Sequence, residues 1–322
     1  MQCALIAVMG FLAASAAWAQ DPAANYPGRP VRWIIPFTPG ASNDIIGRLV
    51  AGKLTEQFGQ QVIIDNRPGA GGIVGAETVA RANPDGYTLL LTNPGPSVNN
   101  ILLRKNPPYK MSDFTPIVWM GYTPFYVMAS LNFPPKSARE IVDYGKVNPG
   151  KISWASSGLG SGPHIALSVF ALSTGIKVTH VPYKGTVQPL IDMVAGQIHL
   201  LSTTTVSAEA QIKSGRIKVL AIQAKKRSAV MPQIPTLEEQ GIKNAEAIVW
   251  FGMSAPAKTP RPILDKLNRE VNKALQLPDV KQRLDQLGLE IEGGTPEKFD
   301  AFIKSQAARL TELIKAGAVQ VE

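Results

Sequence analysis

Cysteine is almost missing from this chain: among 322 residues the only one is Cys3. That excludes an intrachain disulfide and a thiolate metal site, so the fold must rest on its core alone. Histidine is nearly as scarce. His164, His180 and His199 fall on different segments without His-x-x-x-His spacing, which removes the usual zinc patterns. No Gly-x-Ser-x-Gly nucleophile elbow occurs. Beyond the first twenty residues no stretch approaches the ~20 apolar residues of a membrane span. Lys and Arg are scattered, the densest run being Lys225-Lys226-Arg227, and no zinc-finger, RNP-like or basic-helix pattern accompanies them, so no nucleic-acid partner is expected.

What is present is a globular balance, 45% hydrophobic and 18% charged. A chain this long buries roughly three quarters of its unfolded surface and divides naturally into two lobes. Lys and Arg number 33 against 24 Asp and Glu, and the net charge of +9 favours the approach of anions by long-range steering. Met1 to Gln20 carry no charge, with an apolar stretch from Ala4 to Ala14 and the small-x-small triplet Ala17-Trp18-Ala19. The pattern predicts a cleaved secretory signal over residues 1–20, hence an exported protein, in a bacterium a periplasmic one.

After residue 30, short β-rich runs alternate with amphipathic helical stretches, which predicts an α/β architecture with mainly parallel sheets flanked by helices. Strands are expected over 31–37, 61–65 and 87–92. Helices are expected to follow Thr38-Pro39-Gly40-Ala41-Ser42-Asn43 and the Gly-rich Arg67-Pro68-Gly69-Ala70-Gly71-Gly72. A strand over 125–130 and a capping box at Ser137 to Glu140 lead to a second, similar series beginning at Lys151. Three helices are expected to start near Pro260, Pro278 and Pro296. Chain crossings near 122–125 and 222–225 then divide the mature chain into one lobe of residues 21–124 plus 225–322 and another of 125–224. The binding site is expected in the cleft between them.

Two segments carry chemistry. Phe37, Thr38, Gly40, Ala41, Ser42 and Asn43 lie where a strand runs through a glycine-containing loop into a helix N-terminus. Free backbone N–H groups and the positive dipole end make that a carboxylate or phosphate site, although Ser42 or Asn43 also suits a plain helix cap. Ser156, Ser157, Gly158, Ser161, Gly162 and His164 repeat the arrangement in the second series, so two helix N-termini facing one cleft would hold an anion between them. Two enzyme readings are weaker. A Ser161–His164 hydrolase dyad spans only three residues across a helix start and has no carboxylate placed to orient the imidazole. A dinucleotide site at Gly69 to Gly75 misses its fingerprint because Val74 occupies the third glycine position, so no cofactor is expected and these glycines suit close packing.

An ordered series of short motifs resembles the Bug family, the TctC-like periplasmic solute-binding receptors of tripartite tricarboxylate transporters. It comprises Tyr26-Pro27, Arg29-Pro30, Pro36-Phe37 with Gly40 and Asp44, Asp65 to Gly72, Pro84 to Leu89, His164, His180 to Gly185, Asp192 with Gly196-Gln197, Pro235-Thr236, and Ala255-Pro256 with Thr259-Pro260. The resemblance covers essentially the whole mature chain. It implies a two-lobed periplasmic binding protein of type II, a Venus flytrap, without cofactor or catalysis, which grips one carboxylate between the loops 37–43 and 156–164 and delivers it to a membrane permease. A monomer is the default, and a ligand sensor for a signalling partner is the other role such a receptor serves. Tyr183, Lys184, Gly185, Thr203, Thr204 and Trp250 are the candidates for the remaining contacts, with Asp192 as a structural hydrogen-bonding partner. Few carboxylate side chains fall near the cleft, which favours a plain mono-, di- or aromatic carboxylate over an amino acid.

Overall fold

The computed structural model describes residues 23–317 and Val319, so the expected export signal lies outside the described residues. The chain begins with β1 (Val31–Ile35), α1 (Ser42–Phe58), β2 (Val62–Asn66), α2 (Ile73–Ala80) and β3 (Thr88–Thr92). A π-turn over Gly95–Asn99 leads to α3 (Asn100–Leu102) and β4 (Phe114–Pro124). It then crosses into β5 (Tyr126–Ser130), α4 (Ala138–Val147), β6 (Ser153–Ser156), α5 (Gly162–Thr174), β7 (Thr179–Pro182) and α6 (Val187–Val194), followed by β8 (Leu200–Thr203), α7 (Thr205–Lys213) and β9 (Ile217–Ile222). It returns through β10 (Ile248–Pro256), α8 (Arg261–Gln276), α9 (Pro278–Gln286), β11 (Glu290–Ile291) and α10 (Pro296–Lys315).

Two sheets result, one ordered β11-β4-β10-β3-β1-β2 and the other β7-β6-β8-β5-β9. In the first, β1 runs parallel to β2 and β3, and β10 lies antiparallel between β3 and β4. In the second, β6 runs parallel to β7 and β8, and β5 lies antiparallel between β8 and β9. Each sheet therefore has four strands pointing one way, with the reversed interior strand being the one that has just arrived from the other lobe. Helices cover both faces, which is why the central strands read as continuous apolar runs: Trp33, Ile34 and Ile35 are wholly buried, as are Leu90 and Leu91.

The two connections between the lobes run side by side. The Phe125 N–H donates to the Ala247 carbonyl (3.1 Å), Gln223 N–H to Phe125 (2.8 Å) and Ala247 N–H to Gln223 (2.8 Å). The Gln223 side chain is wholly buried at this node, accepting from Ser202 Oγ (2.8 Å) and donating to the Ala166 carbonyl (3.1 Å). The return crossing falls later in the chain than the 222–225 expected from the sequence. Leu237, Ile242 and Ala245 pack into the second lobe's core with Phe133 and Ile141, and Gln240 accepts from the Ala138 N–H (2.7 Å), so the chain leaves that lobe only at about 245–248. Four elements, α3, β4, α7 and β11, have no counterpart among the elements expected from the sequence. Strand β4 contains Pro116 and Pro124, and α7 buries only Thr205, Val206 and Ala208 fully, with Ile212 partly buried, too weak a stripe to register.

Candidate ligand-binding cleft

Where the lobes meet, a cavity of about 30 Å³ is enclosed between Phe37, Ala41, Ser42 and Asn43 of the first lobe and Ser157, Gly162, Thr203 and Thr204 of the second. Open small-molecule pockets measure roughly 300–1,000 Å³, so the lobes leave little space between them here. Asn93, Pro94, Phe125, Pro163, Thr186, Ser207 and Val249 complete the wall. Apart from Pro163, which belongs to the loop 156–164, these residues escaped sequence reasoning because they come from five separate segments of the chain. Only the uncapped start of α6, with Thr186 before it, carried a local signal.

Among the described residues the lining contains no charged side chain. Its positive character comes from backbone: the starts of α1, α5, α6 and α7 all converge on it. Each first turn has N–H groups without an intrahelical partner and contributes a partial charge of about +0.5. Ser161 and Thr204 cap α5 and α7 by accepting from the His164 and Ser207 N–H groups, whereas Ala41 and Thr186 offer α1 and α6 no side-chain cap. The Thr186 hydroxyl and Asn93 Oδ1 are buried without a hydrogen-bond partner, while Asn93 Nδ2 donates to Asn43 Oδ1 (2.7 Å). Phe37 and Phe125, both nearly fully buried, supply apolar walls.

The loop ahead of α1 is held by Asp44. Its carboxylate accepts from the Gly40 N–H (3.0 Å), Arg48 Nε (3.0 Å) and Asn66 Nδ2 (3.0 Å). Burial opposes its ionisation, but the hydrogen bonds from Arg48, Gly40 and Asn66 outweigh that and hold its pKa below the ordinary carboxylate value. The loop ahead of α5 is held by two histidines whose rings stack 4.5 Å apart. His180 Nε2 meets Ser156 Oγ at 2.6 Å, that hydroxyl accepts from the Gly158 N–H, and His164 Nδ1 accepts from the Gly160 N–H (3.2 Å). Burial, then the neighbouring His180, lowers the His164 pKa to about 4, and burial lowers that of His180.

Other candidates from the sequence sit around the cavity rather than in it. The Ser161 hydroxyl accepts from the His164 backbone and not from its ring, so the imagined Ser161–His164 dyad is not formed. Trp250 is buried behind the hinge, edge-on to Phe299 and Phe302 of α10, because β10 turns that face toward the C-terminal helix. Thr38 packs against Gly185, where a Cβ would overlap its hydroxyl. Tyr183 donates to Asp192 (2.6 Å), the structural role expected of that carboxylate, and lines an outer pocket with Lys184 and Gly158. The Gly-rich segment before α2 is part of the closure: a Cβ on Gly71 would overlap the Leu159 carbonyl, and one on Gly160 would overlap Asn100 Oδ1. Across the same cleft the Ser42 N–H donates to Ser207 Oγ (3.0 Å), and Arg283 pairs with Glu209 (3.2 Å).

The tripartite tricarboxylate transporter family receptor model, TctC, matches residues 46–319. This chain belongs to that family. Among solved structures the receptor resembles the periplasmic binding protein BugD at 36% identity and a TM-score of 0.87, covering 92% of this chain and 100% of that one. It resembles Rpa4515 of R. palustris, solved with adipate, at 31% identity and a TM-score of 0.89, covering 92% and 99%. A third neighbour is MatC of Rhodopseudomonas palustris with bound malate, at 30% identity and a TM-score of 0.86, covering 90% and 100%. The receptor therefore has the two-lobed periplasmic binding protein fold expected from its sequence, and its relatives are binding proteins rather than enzymes. Among the described residues no helix is long and apolar enough to cross a membrane.

Proposed function

We propose that the receptor captures a small carboxylate in the periplasm, closes its lobes around it without chemical change, and presents the closed form to the membrane permease of a tripartite tricarboxylate-type transporter. The observation that carries this reading is a cavity that, among the described residues, has no charged lining side chain and is ringed by four helix N-termini. Such a site prefers an anion that accepts several hydrogen bonds at once, and it offers no carboxylate to an amino-acid ammonium. The carboxylate sits between the starts of α1 and α5, with Ser157 and Thr204 donating, and Phe37 and Phe125 cover the carbon chain. The hinge turns on Phe125 and Ala247, each lobe moves as a body, and the receptor acts as a monomer. Adipate and malate in two neighbours support the ligand class.

A thermal-shift screen of the chain from Asp21 onward tests this, using aliphatic, hydroxylated and aromatic mono-, di- and tricarboxylates on protein unfolded and refolded to strip carried-over ligand. A carboxylate at ~100 times its Kd adds about 2.7 kcal/mol of stability, a rise of several degrees in Tm. The expected result is a selective shift with the compound recovered unaltered. A flat response to every carboxylate, or turnover of the hit, contradicts the proposal.

A further inference from the structure

We infer that closure assembles a second anion site outside the inner cavity, between Arg104 of the first lobe and Lys184 of the second. Both side chains line an outer pocket of about 560 Å³, whose floor is the seal formed by Gly71, Gly158 and Leu159. No carboxylate lines that pocket among the described residues. Arg104 is half-buried, its Nε has no hydrogen-bond partner, and among the described residues neither it nor the exposed Lys184 is in an ion pair. Asp192 and Glu77 are otherwise engaged: Asp192 accepts from Tyr183 and Gln188 (2.7 Å), and Glu77 pairs with Arg81 (2.5 Å).

The two cations come from opposite lobes, so their approach opposes closure until an anion lies between them. An oxyanion in the pocket accepts from the Arg104 guanidinium and the Lys184 ammonium together and binds the closed form better than the open one. By linkage, it then raises the affinity of the inner cavity for its own ligand, and the inner ligand raises the affinity of the outer pocket by the same factor. The outer site follows from its own lining rather than from that of the inner cavity. Its occupant is an oxyanion group, supplied either free from solution or as the far carboxylate of a ligand held inside.

The test compares the full-length secreted protein with the double variant R104Q/K184Q, using inorganic sulfate as the probe and sodium chloride to match ionic strength. The unaltered protein is expected to show a saturable rise in Tm and a smaller radius of gyration in solution scattering, and the double variant only the shallow, non-saturating rise that sulfate gives any protein. A second arm measures adipate against hexanoate. A fall in their affinity ratio in the double variant assigns the site to the ligand's own far carboxylate, whereas an unchanged ratio beside a lost sulfate response assigns it to a free anion. A saturable sulfate response that the double variant retains would place the ion in the inner cavity and overturn the inference, as would no saturable response in the unaltered protein. The carboxylate screen reads the inner cavity separately, so either reading can fail while the other stands.

Discussion

Ser157 and His164 show how differently two residues of one loop contribute. Ser157 lines the cavity and is almost fully buried, so its hydroxyl is a donor available to a ligand carboxylate. Replacing it by alanine removes a hydrogen bond to a charged group, which is typically about 1.5–3 kcal/mol, and titration calorimetry is expected to read at least a tenfold loss of affinity with the fold intact. His164 instead holds the loop's shape from behind. In the fold its pKa lies at about 4, against 6.5 for the free group, so below pH 6.5 the unfolded chain takes up a proton that the folded chain refuses. Stability is then complete above pH 6.5 and declines as the pH falls toward 4, with a slope approaching about 1.4 kcal/mol per pH unit and His180 adding in the same direction. Urea unfolding at pH 7, 6 and 5 checks this. His164→Gln is expected to flatten the profile, and an equally steep profile in that variant would refute the assignment.

At the level of elements, the sequence showed where helices begin better than where chain segments meet. Pro260, Pro278 and Pro296 do stand at the starts of α8, α9 and α10, and the loops 37–43 and 156–164 do run into α1 and α5. These are local events, fixed by backbone restriction and free N–H groups. Asn93, Ser207 and Val249 reach the cavity only through the meeting of the two lobes, and nothing in their neighbours' identity announces it. The Gly-rich segment 67–72 was legible as close packing, but its partner, the Leu159 carbonyl of the other lobe, was not. That partner makes a specific prediction. Gly71→Asn fills the seal without touching the cavity lining, and asparagine tolerates the left-handed backbone at that position (φ 65°), so it is expected to keep the fold, weaken ligand binding at least tenfold and leave the protein open in solution scattering. Undiminished affinity would show that the lobes close elsewhere.

For the whole molecule, the design is two pseudo-equivalent lobes, each with one reversed strand at the hinge, joined by Phe125, Gln223 and Ala247. Because helix starts rather than charged side chains face the cleft, the attraction for an anion is built from many small dipoles fixed in both lobes. It reaches full strength only when the lobes close. The net charge of +9 acts earlier, on approach, and gives no specificity. Recognition of an anionic oxygen pair by backbone N–H groups is thus the central claim. Calorimetric titration with the carboxylate that gives the largest thermal shift, and in parallel with its primary amide, tests it most directly. One-to-one binding of the carboxylate with the amide at least a hundredfold weaker is the result expected, and equal affinity for the two would contradict an anion-selective cleft.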